Sequence, residues 1–140
     1  MRNIDSSPSL KKLNNVDIKK LDVTLKSDIK NVIDFTVQKY GRIDILINNA
    51  GYGAFGFLEE ASEKEIRNQF DVNFFGLIDC IRAVLPQMRK QRDGVIINIS
   101  SIAGRFGLPF TSLYNSSKFA VEGLTAVSYT HLRAHETKAN

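Results

Sequence analysis

Two short runs constrain this chain more than anything else in it: "IDILI" at residues 43–47 and "VIINI" at residues 95–99. Both are mostly branched apolar side chains, without the alternation that marks a wet face, and such runs suit strands covered on both sides. Around them lie stretches with helical period. Ile29, Val32, Ile33, Val37 and Tyr40 follow the i, i+3, i+4 rule, with Ser27 able to cap the start and Gly41 to end the helix. "SEKE" at 62–65 is a capping box opening a helical region that reaches about Gln91. A last helix contains Tyr114 to about Ala126, and Val16, Ile18 and Leu21 alternate as a short strand ending at Asp22. Buried strands separated by amphipathic helices predict an α/β fold, a parallel sheet with helices on both faces.

Composition excludes several classes. The chain has 140 residues with 43% hydrophobic content, enough for one domain with a core. No run approaches the roughly 18 apolar residues of a membrane span, and the opening "MRNIDSSPSLKK" carries no apolar signal segment. Cys80 is the single cysteine, so no disulfide framework exists and a reduced, cytoplasmic setting is expected. The net charge of +4 is spread over scattered basic residues without aromatic interleaving, which gives no support to nucleic-acid binding. His131 and His135 stand at i, i+4, but no third ligand accompanies them, and no metal site is expected.

The stretch 51–56 spells Gly-x-Gly-x-x-Gly, the phosphate-cradling fingerprint. A functioning version needs a helix that starts inside the loop, so that its N-terminus faces the phosphates. Here the next helix signal is Ser62, six residues beyond Gly56, and Asp71 lies in a helical pattern where an acid at a strand end is required. The spelling is not expected to hold a pyrophosphate.

Five other pieces carry more weight: "LDVT" at 21–24, "NNAG" at 48–51, "DVNFFG" at 71–76, "INISSIAG" at 97–104 and "YNSSK" at 114–118. In this order and spacing, with Ser101 thirteen residues before Tyr114, residues 2–126 resemble the short-chain dehydrogenase/reductases. The resemblance implies part of a Rossmann-type doubly wound parallel sheet, about strands 3 to 5 with their helices. Nothing in the chain matches the family's first strand and glycine-rich phosphate loop. The isolated chain is therefore expected to be an inactive fragment of a larger parent. Residues 127–140, "VSYTHLRAHETKAN", leave the family pattern and resemble a translated sequencing adapter, so they are expected to be artefactual or disordered.

The resemblance also implies roles, and physical chemistry says why the residue types suit them. Interconverting an alcohol and a ketone or aldehyde with a nicotinamide moves a hydride at carbon and a proton at oxygen. Tyr114 and Lys118, at i and i+4, share one helix face. A phenol titrates near 10, too high for a good base at neutral pH. An ammonium about 5 Å away at an effective dielectric of ~20 favours the phenolate by about 3 kcal/mol. By resemblance Tyr114 is the acid–base group, Lys118 also binds the nicotinamide ribose, Ser101 holds the substrate oxygen, and Asn73 anchors a water-linked proton path. Asp22 and Val23 would contact the adenine. Asn49, Ala50 and Gly51 would pass against the cofactor, while Asn48 reads as structural.

The resemblance also implies NADP or NAD as cofactor: the family sets the choice near the end of its second strand, and Arg2, read as an arginine of that region, tilts the expectation toward NADP. Phe55, Phe57, Phe106, Leu108, Pro109 and Phe110 fall in loops expected to border the pocket, which points to a small apolar alcohol or carbonyl substrate. The helix with Phe75, Ile78, Ile81 and Leu85 carries more apolar surface than one buried face needs. With the helix after Tyr114 it is expected to form a homodimer or tetramer in the complete parent. A non-catalytic scaffold on the same fold is the alternative, although such proteins normally lose one of the four key residues.

Overall fold

The computed structural model describes residues 12–136, with side chains through Val127. Its elements run α1 (Lys26–Tyr40), β1 (Ile45–Asn48), α2 (Glu63–Phe70), a π-helical turn (Asp71–Phe75), α3 (Gly76–Gln91), β2 (Val95–Asn98) and α4 (Ser112–Glu136). Two short 3₁₀ turns, Leu58–Glu60 and Ile102–Gly104, follow the strands. The strands pair in parallel: Val95 N–H donates to Asp44 O at 2.8 Å, and Ile99 N–H to Asn48 O at 2.9 Å. The chain divides into two units, the described part of Met1–Leu46 with Ile78–Ile96, and Ile47–Leu77 with the described part of Ile97–Asn140.

The first unit has an apolar interior. Ile43, Val84 and Met88 are 8, 0 and 6% exposed, and Ile33, Val37, Leu46 and Ile96 pack against them. Burying each large side chain contributes about 1.5–3 kcal/mol. Gly41 ends α1 in the left-handed region, at φ 76°, with its N–H on Val37 O; a side chain would be strained there. At the other end Leu25, not Ser27, is the N-cap, and no side chain caps it. "IDILI" forms a strand only from Ile45. The Gln91 amide occupies both backbone groups of Ile43, accepting from its N–H at 3.2 Å and donating to its C=O at 2.6 Å, so a side chain replaces the ladder there.

Two expectations need correction. Residues 16–22 form no strand. A strand needs a neighbour for its N–H and C=O groups, and the sheet of the described residues contains only β1 and β2. This segment is tied down by side chains instead. Asp17 bonds Lys39 at 2.6 Å and also Tyr40, Lys19 lies 3.6 Å over the Phe35 ring, and Asp22 Oδ1 accepts from Thr24 N–H at 3.0 Å in a tight turn. Nor are the strands covered on both faces. Ile45 and Val95 in the first unit, and Ile47, Ile97 and Ile99 in the second, are exposed, alternating with covered neighbours as the pleat requires. The branched run shows what the strands are suited to bury; among the described residues only one face is covered.

In the second unit the capping box forms as expected. Ser62 Oγ accepts from Glu65 N–H at 3.3 Å, and Glu65 Oε2 accepts from Ser62 N–H at 2.9 Å. The glycine stretch runs from Gly51 to Gly56 without entering a helix, as its spelling alone did not reveal. The helix containing Tyr114 begins at Ser112 and carries on past Ala126 to Glu136. The side chains of residues 128–140, including His131 and His135, and the backbone of residues 137–140 lie outside the description, as does Arg2. No helix of the described residues is long and apolar enough to cross a membrane.

Candidate active site

Asn73, Ser101, Tyr114, Lys118 and residues 49–51 all fall in the second unit; Asp22 and Val23 fall in the first. The interior of the second unit mixes apolar side chains (Val72, Leu77, Ala103, Val121) with an unusual number of polar ones. Gln69, Asn73 and Ser117 are at most 1% exposed, and Thr111, Asn115 and Lys118 are 7–8% exposed. Burying so many polar groups is tolerable only if each finds a partner, and these partners assemble the cluster.

Asn73 sits in the π-helical turn, whose wider i→i+5 bond (Gly76 N–H to Asp71 O) joins α2 to α3 and re-aims the side chains between them. Its Oδ1 accepts from Tyr52 N–H at 3.0 Å, and its Nδ2 donates to Tyr52 O at 2.8 Å and to Ser117 Oγ at 3.1 Å. One side chain thus fastens the turn after "NNAG" to α4. Ser117 completes the link by donating to Tyr114 O at 2.8 Å. Lys118 donates from Nζ to Ile99 O at 2.8 Å, at the end of β2, and its Nζ stands 5.8 Å from the centre of the Tyr114 ring. A side chain placed on Gly51 would come within 3.1 Å of Asn73 Oδ1 and 3.8 Å of Lys118 Nζ, so this backbone lies bare against both. Asn49 and Ala50 are exposed beside it.

Ser101 caps the turn Ile102–Gly104, its Oγ accepting from Ala103 N–H at 3.2 Å. Its neighbour Ser100 points elsewhere, toward Gly104, and its hydroxyl is the one buried side-chain polar atom of the described residues without a partner. Asn48 donates to Asn98 Oδ1 at 2.9 Å, and Asn98 donates to Thr125 Oγ1 at 3.0 Å. This cross-strand ladder leaves Asn48 occupied with structure.

Of the apolar loop residues, Phe55 lies beside Tyr114. The Phe55 ring lies 6.1 Å from the Tyr114 ring, and Phe57 meets Phe110 edge-on at 5.1 Å. Gly56 N–H donates to Phe110 O at 2.8 Å, joining the two loops, and Phe110 takes a left-handed φ of 61°, a strained setting for an aromatic residue. Asn115 and Thr111 fix the same region: Asn115 Nδ2 donates to Phe106 O at 2.5 Å, Thr111 Oγ1 to Leu108 O at 2.7 Å, and the two side chains bond each other. Sequence reasoning passed over Gln69, Thr111, Asn115 and Ser117. No group of three or more His, Cys, Asp or Glu among the described residues could hold a metal.

The fold and this cluster define a Rossmann-like α/β protein. The family model described as short chain dehydrogenase matches residues 6–140. An uncharacterized oxidoreductase of Schizosaccharomyces pombe is 41% identical over 125 residues, covering 89% of this chain and 53% of its own. A 3-ketodihydrosphingosine reductase of Bacteroides thetaiotaomicron is 50% identical over 103 residues, covering 74% and 38%. Among solved structures, a short-chain dehydrogenase from Streptomyces avermitilis superposes with a TM-score of 0.89 at 33% identity, covering 96% of this chain and 51% of that one. ElxO with NADP bound (TM-score 0.78, 37% identity, 84% and 49% covered) and a Burkholderia phymatum short-chain dehydrogenase/reductase in complex with NAD (0.80, 35%, 83% and 42%) are also similar. The chain belongs to the short-chain dehydrogenase family. It spans about half the length, or less, of these relatives.

Proposed function

We propose that the protein built on this chain is an NAD(P)-dependent oxidoreductase that interconverts an alcohol and a ketone or aldehyde, with Tyr114 as the acid–base group. The observation carrying this reading is the buried Lys118 ammonium, 5.8 Å from the Tyr114 ring and locked to β2 through Ile99 O. The residues fit the ribose end of a nicotinamide nucleotide. Gly51 leaves the backbone bare beside Lys118, and an ammonium with three donors has only one engaged by Ile99. When bound, the nicotinamide supplies the hydride donor or acceptor.

The chain's own residues supply the rest. The Tyr114 oxygen passes the proton to or from the substrate oxygen. Ser101 Oγ holds the substrate oxygen by hydrogen bonding. Asn73 Oδ1, with one lone pair on Tyr52 N–H, keeps a second for the water that leads to Lys118. Asn49, Ala50 and Gly51 would line the cofactor, and by the family resemblance Asp22 and Val23 would take its adenine. NADP is favoured over NAD through Arg2.

The substrate class we infer is an apolar carbonyl compound or alcohol. Phe55, Phe57, Phe106, Leu108 and Phe110 are 45–71% exposed, more apolar surface than a loop pair retains without use. The 3-ketodihydrosphingosine reductase name of one relative fits that class. We further infer a cytoplasmic homodimer or tetramer using α3 with the π-helical turn before it, where Phe75 is exposed, and α4, where Phe119 is exposed, and a family segment ending near residue 126. The direct test is oxidation of NADPH and NADH against a panel of carbonyl compounds, with a full-length protein carrying this chain. No turnover with any compound would favour the scaffold reading.

A further inference from the structure

Gln69 is 0% exposed, a primary amide sealed in the second unit that the chemistry above does not use. Its two ends straddle Gly53. Oε1 accepts from Ala54 N–H at 2.7 Å, and Nε2 donates to Tyr52 O at 2.8 Å, as a neighbouring strand would. Asn73 also reaches Tyr52, through both its N–H and its C=O. Ala54 N–H is the contact that belongs to Gln69 alone.

Phe55 comes next in the chain, and its ring folds back over Gly53. A side chain on Gly53 would come within 2.7 Å of the ring's Cζ. The same ring stands 6.1 Å from Tyr114 yet is 71% exposed, so burial cannot hold it there. Its place follows from the backbone on either side: Gly56 is held by Phe110 O, Tyr52 is shared by Asn73 and Gln69, and Ala54, the residue before the ring, is held by Gln69.

We propose that Gln69 is a positioning residue that keeps the Phe55 wall beside Tyr114, and so sets preference for substrates with a large apolar group next to the reacting carbon. The inference rests on the Tyr114 reading given above. Gln69 meets no reacting atom; it acts through the loop.

The test uses a full-length protein carrying this chain, with Gln69→Leu, which keeps the size and loses the hydrogen bonds, and Gly53→Ala, which displaces the ring without touching Gln69. Activity is measured on a ketone with a long alkyl group and on acetone. Both variants should lower the ratio of the two kcat/KM values by about tenfold, mainly through KM for the long ketone. Acetone turnover should stay within about twofold. Amide hydrogen exchange supplies a readout independent of catalysis. In Gln69→Leu the Ala54 amide should lose protection, while Tyr52, held by Asn73, and Val121 in α4 keep theirs. Equal losses on both ketones, or an unchanged ratio, would overturn the proposal, as would an Ala54 amide still protected in Gln69→Leu. A wild-type protein with no turnover at all would sink the Tyr114 reading, and the Ala54 amide would still decide whether Gln69 holds the loop.

Discussion

Ile43, Val84 and Met88 close one unit with side chains that have nothing to hydrogen-bond, whereas the other buries Gln69, Asn73, Ser117 and Lys118, which must, beside Val72, Leu77, Ala103 and Val121. The first kind of interior is non-directional. It tolerates a change of shape if volume is kept, and its cost for a deletion scales with the cavity left behind. The second is directional. Asn73 bonds both Tyr52 and Ser117, so losing its amide leaves the Tyr52 N–H unpaired and cuts the link to α4, although Gln69 still reaches Tyr52 O and Ser117 still donates to Tyr114 O. A polar interior is the harder one to build, and it is where the candidate chemistry sits. The first unit's interior answers to stability, and the polar groups of the second answer to positioning.

The sharpest way to break that comparison is Tyr114→Phe in a full-length protein carrying this chain. The ring and its packing against Phe55 remain while the acid–base oxygen goes. Turnover should fall by roughly 10²–10⁴-fold with cofactor binding nearly unchanged. A variant that keeps more than about a tenth of the rate would remove Tyr114 from the reaction. It would also leave the polar interior without a functional reason.

A stability measurement addresses the apolar side. Met88→Ala should cost about 2–5 kcal/mol by urea denaturation, since it empties a place packed by Ile43 and Val84. Met88→Leu, which keeps the volume, should cost less than about 1.5 kcal/mol. Similar losses for the two would mean that specific shape, not volume, governs this core.

Local signals were the legible part of the fold. Gly41 ends α1 and Ser62–Glu65 caps α2 because each works through residues a few positions apart, without regard to the rest of the chain. Longer-range facts were less legible. The 16–22 strand fails because strand structure belongs to pairs, and its alternation says nothing about whether a partner is present. The bare faces of Ile45 and Ile97 fail for the same reason. Within the site, Asn73, Tyr114 and Lys118 converge from a turn and a helix far apart in sequence, a meeting that local patterns could not have located without the motif order. Gln69 and Asn115 escaped because glutamine and asparagine on a helix usually face water, and only the loop backbone they meet explains their burial.

Cysteine chemistry offers a finer probe of the first unit. Burial, aided by the negative Asp79, pushes the Cys80 thiol up to about 11. Two units above an ordinary thiol means roughly a hundredfold less thiolate at pH 8. Labelling of the folded protein by iodoacetamide should slow by at least that factor and become complete in urea. Fast labelling in the native state would mean that this unit opens readily.

The smallest expected effect sets one carboxylate from each unit against the other. Asp17 is held below the usual range by its hydrogen bond to Lys39 and then Tyr40, and Glu65 by the Ser62 side chain and then the Ser62 backbone. A folded-state value lower than the unfolded one means that the ionised form stabilises the native state. That contribution is present above the unfolded values of about 4 and is lost as pH falls through the lower folded values. Asp17 is partly and Glu65 largely open to solvent, so screening by water and salt keeps the effect small. Melting temperature followed from pH 5 to 2 should therefore fall less steeply in Asp17→Asn and in Glu65→Gln than in the parent chain. The Asp17 pair joins charged Lys39 to a segment without strand partners, while the Glu65 pair is a neutral hydroxyl and an N–H within one helix turn. Added salt should flatten the Asp17 contribution and leave that of Glu65 nearly intact. Profiles for either variant that run parallel to the parent would show that the hydrogen bonds at that carboxylate do not persist in solution.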